Sequence, residues 1–393
     1  MPPSIKKVFP VVSLAVFSSL LGSGIIVPLF PIFAESMGAS GLSLGMIFAG
    51  FSIARTIVMP FAGRLSDRRG RRFVLVIGLL GYSLTSFAFI WASNVFMLTL
   101  VRALQGLTAG MILPIAQAYI GDIAPEGEEG KWMGYFSATF VAGFGFGPLV
   151  GGVITEHFGM NYAFSAMGAL NFVAFVIVLI FLPEYRGRET PGRGRASLLI
   201  LEKSRMMRGI FSQRVALAMG RGVFTAFLPL YAGVTLGLSS SQLGILLAFN
   251  LLLMSPTQLV SGKIADRLDR RAMVITGGML NILFLLVIPF ASSFWQLFAV
   301  CGIGGFSTAL VMPANSALTV AEGKRYGMGL AMAVVAVAFS LGMAAGPILG
   351  GVIADTLNIQ SVFFFGAGVG LIGVILFYWF TRSGNVIESV DDH

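Results

Sequence analysis

The chain has 393 residues, 56% of them hydrophobic and only 11% charged, with a mean hydropathy of +0.88. So little charge cannot clothe a soluble protein of this size, and the solvent implied is lipid. The net charge of +9 follows from where the basic residues lie along the chain, which argues against nucleic acid as a partner, and the lone Cys301 excludes an intrachain disulfide and a cysteine metal cluster.

Apolar runs long enough to cross about 30 Å of hydrocarbon recur at 8–33, 42–62, 73–92, 95–121, 132–155 and 162–182. Six more lie at 209–236, 242–261, 272–291, 294–320, 327–354 and 361–381. The pattern predicts an all-α membrane protein of twelve transmembrane helices, in which 50 Gly and 16 Pro are tolerated because neighbouring helices satisfy the freed backbone groups. The first run follows Lys6 and Lys7 but is longer than the apolar core of a signal peptide and lacks a small-residue cleavage site, so it is expected to stay in the chain. Between the two sets, 183–208 ("PEYRGRETPGRGR" at its start) reads as a linker joining an N-terminal bundle, 1–182, to a C-terminal bundle, 209–393.

With twelve spans, 23 of the 26 Lys and Arg fall in segments on one side, and the other three, Arg55, Arg102 and Arg221, lie inside predicted helices. The positive-inside rule then places both termini in the cytoplasm. Short outer loops without any Asn-x-Ser/Thr acceptor favour a prokaryotic cell membrane.

The two halves repeat. "GRLSDRRGRR" at 63–72 returns as "GKIADRLDRR" at 262–271, so that Gly63, Asp67, Arg71 and Arg72 match Gly262, Asp266, Arg270 and Arg271 at an offset of 199. "GPLVGG" at 147–152 returns as "GPILGG" at 346–351, and Pro114 as Pro313, at the same offset; "FPIFA" at 30–34 matches "LPLYA" at 228–232 at an offset of 198. Parallel repetition of this kind predicts two pseudo-symmetric six-helix bundles with a substrate site between them near the midplane.

Four stretches carry a resemblance to a known family: "GRLSDRRGRR", "LVRALQGLTAG" at 100–110, "GFGFGPLVGG" at 143–152 and "LGSGIIVPLFP" at 21–31. The chain resembles the major facilitator superfamily and, within it, the twelve-helix drug/proton antiporters. The resemblance implies the major facilitator fold and a secondary active transporter, not an enzyme, that exposes a central cavity alternately to either side. It also implies that helices 1, 4, 7 and 10 line the cavity, that Arg102 takes part in proton coupling, and that the glycine-proline run of helix 5 marks an antiporter.

The residues support separate readings. Arg102 has Gln105 on the same face, whereas Asp122, twenty residues on, lies about 30 Å away along the helix and on nearly the opposite face. A buried guanidinium is costly, so a role in coupling or substrate contact is expected of Arg102. Arg221 falls near the midplane of helix 7 and is a candidate substrate contact with Arg102, Gln105 and Arg55; Arg55 is also placed to snorkel to the inner surface. Gly143, Gly147 and Gly151 recur every fourth residue, Pro148 removes a helical hydrogen bond, and Gly152 follows, which reads as close packing, a hinge or a leak seal.

Gly63, Asp67, Arg71 and Arg72, with Asp266, Arg270 and Arg271, are expected to form a cytoplasmic gate: each basic loop faces an acidic turn of the other half, at Glu126, Glu128 and Glu129 or at Glu322. All seventeen Asp and Glu lie in loops or near helix ends, leaving Glu35 at the outer mouth and Asp122 at the inner mouth as proton-carrying candidates. With 35 Phe and 19 Met, the interior suits varied amphipathic ligands. The expected function is proton-coupled efflux of amphipathic small molecules or drugs; the alternative is uptake or exchange of organic anions on the embedded arginines. Neither metal nor cofactor is implied, no nucleotide-binding loop is present, and the expected partners are the small-molecule substrate, protons and membrane lipids around a monomer.

Overall fold

The computed structural model describes residues 4–125, 127–185, 200–201, 204–265 and 269–382. Twelve helices among them are long and apolar enough to cross a membrane. In chain order they are α1 (Ile5–Ile26), α2 (Gly41–Arg69), α3 (Arg71–Ala88), α4 (Val95–Ile123), α5 (Glu129–Phe158) and α6 (Met160–Phe181), then α7 (Arg205–Leu230), α8 (Ser240–Ala265), α9 (Arg270–Val287), α10 (Phe294–Tyr326), α11 (Met328–Thr356) and α12 (Ile359–Thr381). Short polar side chains set many of the starts, since each accepts an otherwise unpaired first-turn amide: Ser40 from Ser43, Asn94 from Met97, Ser204 from Met207, Ser293 from Gln296 and Asn358 from Ser361.

Three features depart from the apolar runs. The first run, 8–33, is not one helix: α1 stops at Ile26 and a separate short helix, Phe30–Ser36, follows. Pro28 and Pro31 have no amide to offer, so the ladder is interrupted across 27–29. The matching place after α7 is a wide turn, Tyr231–Thr235, following Pro229. Secondly, "GRLSDRRGRR" is mostly helix. Arginine is a good helix former, so α2 runs on to Arg69 beyond the apolar zone, and the chain reverses only at Gly70, whose φ of +102° suits glycine. Thirdly, α7 begins at Arg205, within the stretch read as linker, because the Ser204 cap lies upstream of the apolar run.

Packing divides the helices into α1–α6 and α7–α12. Within the first set α1 lies on α5 and α6, and α2 and α3 lie on α4; within the second α7 lies on α11 and α12, and α8 and α9 lie on α10. The sets meet along α2 with α11 and α5 with α8. The end where α1 begins and α12 finishes holds Arg71, Arg72, Arg270, Arg271, Lys324 and Arg325, and is called the basic end below; the opposite is the far end.

Candidate substrate pocket and gates

Glycine spacing in α4 builds the pocket. A Cβ on Gly110 would stand 2.8 Å from the carbonyl oxygen of Arg55, and one on Gly106 would stand 3.0 Å from the carbonyl carbon of Phe51, so the α2 backbone lies directly on α4. Phe51 and Arg55 are thereby turned toward α1. With Val16, Ser19, Leu20, Ser23, Ala109, Ile112 and Leu113 they line a space of about 320 Å³, counting its open mouth. Ser23 Oγ is 2.6 Å from Tyr82 Oη, which ties the pocket wall to α3. Arg55 is half-buried and makes no hydrogen bond or ion pair among the described residues.

Arg102 stands beside this pocket and is 5% exposed. Its Nη1 donates to Gln105 Oε1 at 2.6 Å, and Gln105 Nε2 lies 3.6 Å from Met167 Sδ. Three rings surround the guanidinium, Phe51 at 4.3 Å, Phe30 at 5.1 Å and Phe48 at 5.8 Å, while its Nε has no partner among the described residues. Ring faces offer partial negative charge without a carboxylate. The site therefore holds a cation that no described acid neutralises.

In the other half, Arg221 on α7 is half-buried with no hydrogen bond or ion pair among the described residues. Arg214, inside the apolar run 209–236 but counted there with the charges of one side, lies within α7: its Nη1 is 2.6 Å from Met312 Sδ and its guanidinium is 5.6 Å from the Phe339 ring. No group of His, Cys, Asp and Glu among the described residues is arranged to hold a metal ion.

At the basic end Arg71 is the hub. It is 5% exposed, its Nη1 reaches Asp67 at 2.7 Å and Ser66 Oγ at 2.6 Å, and its Nε and Nη2 each meet Asp122 Oδ2 at 3.0 Å. The hydroxyl of Ser66 in turn donates to the Gly63 carbonyl. Asp122, the proton-carrying candidate of the inner mouth, thus joins the end of α4 to the α2–α3 corner through Arg71. Arg72 donates to the Leu179 carbonyl, and its amide donates to Glu184. These contacts stay in one bundle, whereas the sequence reading had the basic loops meeting acidic turns of the opposite half. Glu128 answers its own helix: Trp132 Nε1 at 3.1 Å and Lys131 Nζ at 3.4 Å hold its carboxyl below the usual range. Glu322 accepts from Ser204 and lies 3.8 Å from Arg325. The Arg271 amide donates to Asp269; Asp266 and Glu126 lie outside the described residues. Glu35 sits exposed in the short helix at the far end.

Helix α5 uses two faces. Along one, a Cβ on Gly143 would stand 2.9 Å from Phe17 O and one on Gly147 2.5 Å from Gly24 Cα, and Gly151 abuts Ile25, so α1 and α5 touch through backbone. On the other, a Cβ on Gly152 would stand 2.5 Å from Ser240 O and Pro148 O abuts Gly244, so the same helix seals against α8 of the opposite bundle. α11 repeats this, with Gly342 and Gly346 on α7 and Pro347 and Gly351 on Gly45 and Gly41 of α2. Nearer mid-depth, Thr56 Oγ1 and Ser340 Oγ are hydrogen-bonded at 2.9 Å, again between bundles.

A family model described as Major Facilitator Superfamily matches residues 12–217 and, a second time, 210–389. The chain belongs to the major facilitator superfamily. As members of this superfamily are carriers, it is a multi-pass membrane transporter and not an enzyme. This facilitator is 29% identical over 379 residues to an uncharacterized MFS-type transporter of Methanocaldococcus jannaschii, covering 95% of the chain and 97% of that protein. It is 26% identical over 377 residues to quinolone resistance protein NorA of Staphylococcus aureus, covering 94% and 95% respectively. Its fold matches a bacterial homologue of the human lysosomal transporter Spinster in an inward-facing, occupied conformation, with TM-score 0.83, 12% identity and 98% of each chain covered. It also matches nucleoside transporter NupG, with TM-score 0.82, 14% identity and 95% and 99% covered.

Proposed function

We propose that this facilitator exports amphipathic small molecules by alternating access, driven by protons, from a cell membrane in which the basic end faces the cytoplasm. The observation that carries the reading is the pocket between α1, α2 and α4, mostly apolar with one uncommitted cation at Arg55. Apolar walls accept varied skeletons, and few polar groups fix orientation. Likeness along 94% of the chain to a quinolone resistance protein supports drug-like cargo. The glycine contacts of α2 with α11 and of α5 with α8 close the far end. Arg102 is the group through which proton occupancy is sensed, with Glu35 and Asp122 at the two mouths. Asp67, Arg71 and Arg72, together with Asp266, Arg270 and Arg271, govern the cytoplasmic rim, Arg71 by anchoring three helix ends.

A second reading has its own observation. Neither Arg55 nor Arg221 has a hydrogen bond or ion pair among the described residues, and an anionic ligand would supply one to each, so the carrier of organic anions stays in view. Flux into proteoliposomes under an imposed pH gradient, with cationic, neutral and anionic substrates, separates the two. Export of cationic or neutral compounds that rises with the gradient bears out the first. Anion exchange indifferent to pH and abolished by Arg221→Ala replaces it with the second.

A further inference from the structure

Two carboxylates at the far end leave their own bundle. Asp355, near the end of α11, accepts the amides of Gly41 at 2.6 Å and Leu42 at 2.8 Å, the first residues of α2. Glu156, near the end of α5, accepts the amide of Ser241 at 2.9 Å, in the first turn of α8. The arrangement is symmetric: Asp355 follows Glu156 by 199 positions, and Ser240 and Ser241 follow Gly41 and Leu42 by the same offset.

These are not ordinary caps. Each helix already has a cap from its own chain neighbourhood, Ser40 on the Ser43 amide for α2 and Ser239 on the Gln242 amide for α8. The earlier amides, together with the positive end of the helix dipole, are left to a carboxylate from the opposite bundle. A cap inside one bundle stabilises every state of a transporter. One that joins the bundles stabilises only the state in which they touch, and so biases the equilibrium between states.

We propose that Asp355 and Glu156 are paired clasps of the far rim, holding it shut in the present state and releasing together when the bundles part there. This rests on the alternating-access reading above. Asp355→Asn and Glu156→Gln keep size and remove charge, so the double variant should shift the population toward the form open at the far rim by about fivefold, and each single variant by less.

The test uses full-length protein in nanodiscs with Cys301→Ser and paired spin labels. One pair, Ser93→Cys with Ser292→Cys, spans the far rim, and another, Glu129→Cys with Lys324→Cys, spans the basic rim; all four positions are exposed. The expected result is a longer far-rim distance population in the double variant with a matching shorter one at the basic rim, restored by Asp355→Glu with Glu156→Asp. Distances that superimpose on those of the unaltered clasps overturn the proposal. So does a double variant that fails to fold, because the contacts would then serve every state. If the protein with intact clasps shows no reciprocal change of the two rims during flux, alternating access fails and the clasps with it. Reciprocal change with intact clasps, unaltered by the double variant, removes the clasps alone.

Discussion

Single residues decide what the pocket and the basic end can do. Arg102 is enclosed by Phe30, Phe48 and Phe51 with Gln105 as its hydrogen-bond acceptor, and a guanidinium kept there without a carboxylate works against stability. Arg102→Met should therefore melt at least as high as the parent, by roughly 2–4 °C higher for about 1 kcal/mol, while proton-driven flux falls at least tenfold. A thermal melt in detergent beside a proteoliposome assay checks both, and a variant with normal flux removes the residue from the coupling path. Arg71 is the opposite case, since its loss leaves Asp67 and Asp122 facing each other half-screened from water. Arg71→Ala is expected to destabilise by about 3–5 kcal/mol, visible as a lowered melting temperature, with Asp122→Asn milder. The sequence showed that Arg102 and Asp122 could not meet, from helical rise alone. It could not show that the acid belongs to Arg71, because a partner on another helix leaves no spacing.

At the scale of elements, the glycines of α5 perform two jobs that their spacing cannot separate. Gly143 and Gly147 let α1 lie on α5 within one bundle, while Gly152 and Pro148 face α8 across the seam. Substitution should split them. Gly147→Leu is expected to abolish folded protein, since the Gly24 backbone stands where the side chain must go. Gly244→Leu, at the seam opposite Pro148, should leave a folded protein unable to close its far end, with flux down at least tenfold and labelling of an engineered cysteine beside Gly152 increased. Size-exclusion profiles and labelling rates read these outcomes; equal damage to folding from both would show that the seam is part of the static core. Helix number was legible from apolar run length, whereas helix ends were not. Charged residues in "GRLSDRRGRR" signalled departure from lipid, yet the helix continues to Arg69 because leaving hydrocarbon does not require leaving helical geometry. Likewise, the break at Pro28 and Pro31 was hidden by an apolar run that continued through it.

For the whole molecule, the repeat offset already paired the motifs of the two halves, and the structure shows that the paired motifs meet equivalent neighbours: Gly152 on α8 as Gly351 on α2, Gly244 on Pro148 as Gly45 on Pro347. Which surfaces face each other across the bundles was not legible, because Glu156 and Asp355 looked like ordinary polar residues at span ends. By the positive-inside rule, the clustering of most of the 26 basic residues at one end leads us to propose that this end is cytoplasmic. An epitope placed before Ser4 should become reachable by antibody only after permeabilisation, and a tag between Ser93 and Asn94 without it; the reverse pattern would invert export into import. The bond between Thr56 and Ser340 has a mechanical consequence. From Gly41 to Thr56 is fifteen residues and from Thr56 to Arg69 thirteen, lever arms of about 22 Å and about 20 Å. On the alternating-access proposal, with that bond as fulcrum, a rotation of about 15° would carry each rim about 5 Å in opposite directions, so neither mouth would gain clearance without the other surrendering nearly the same amount.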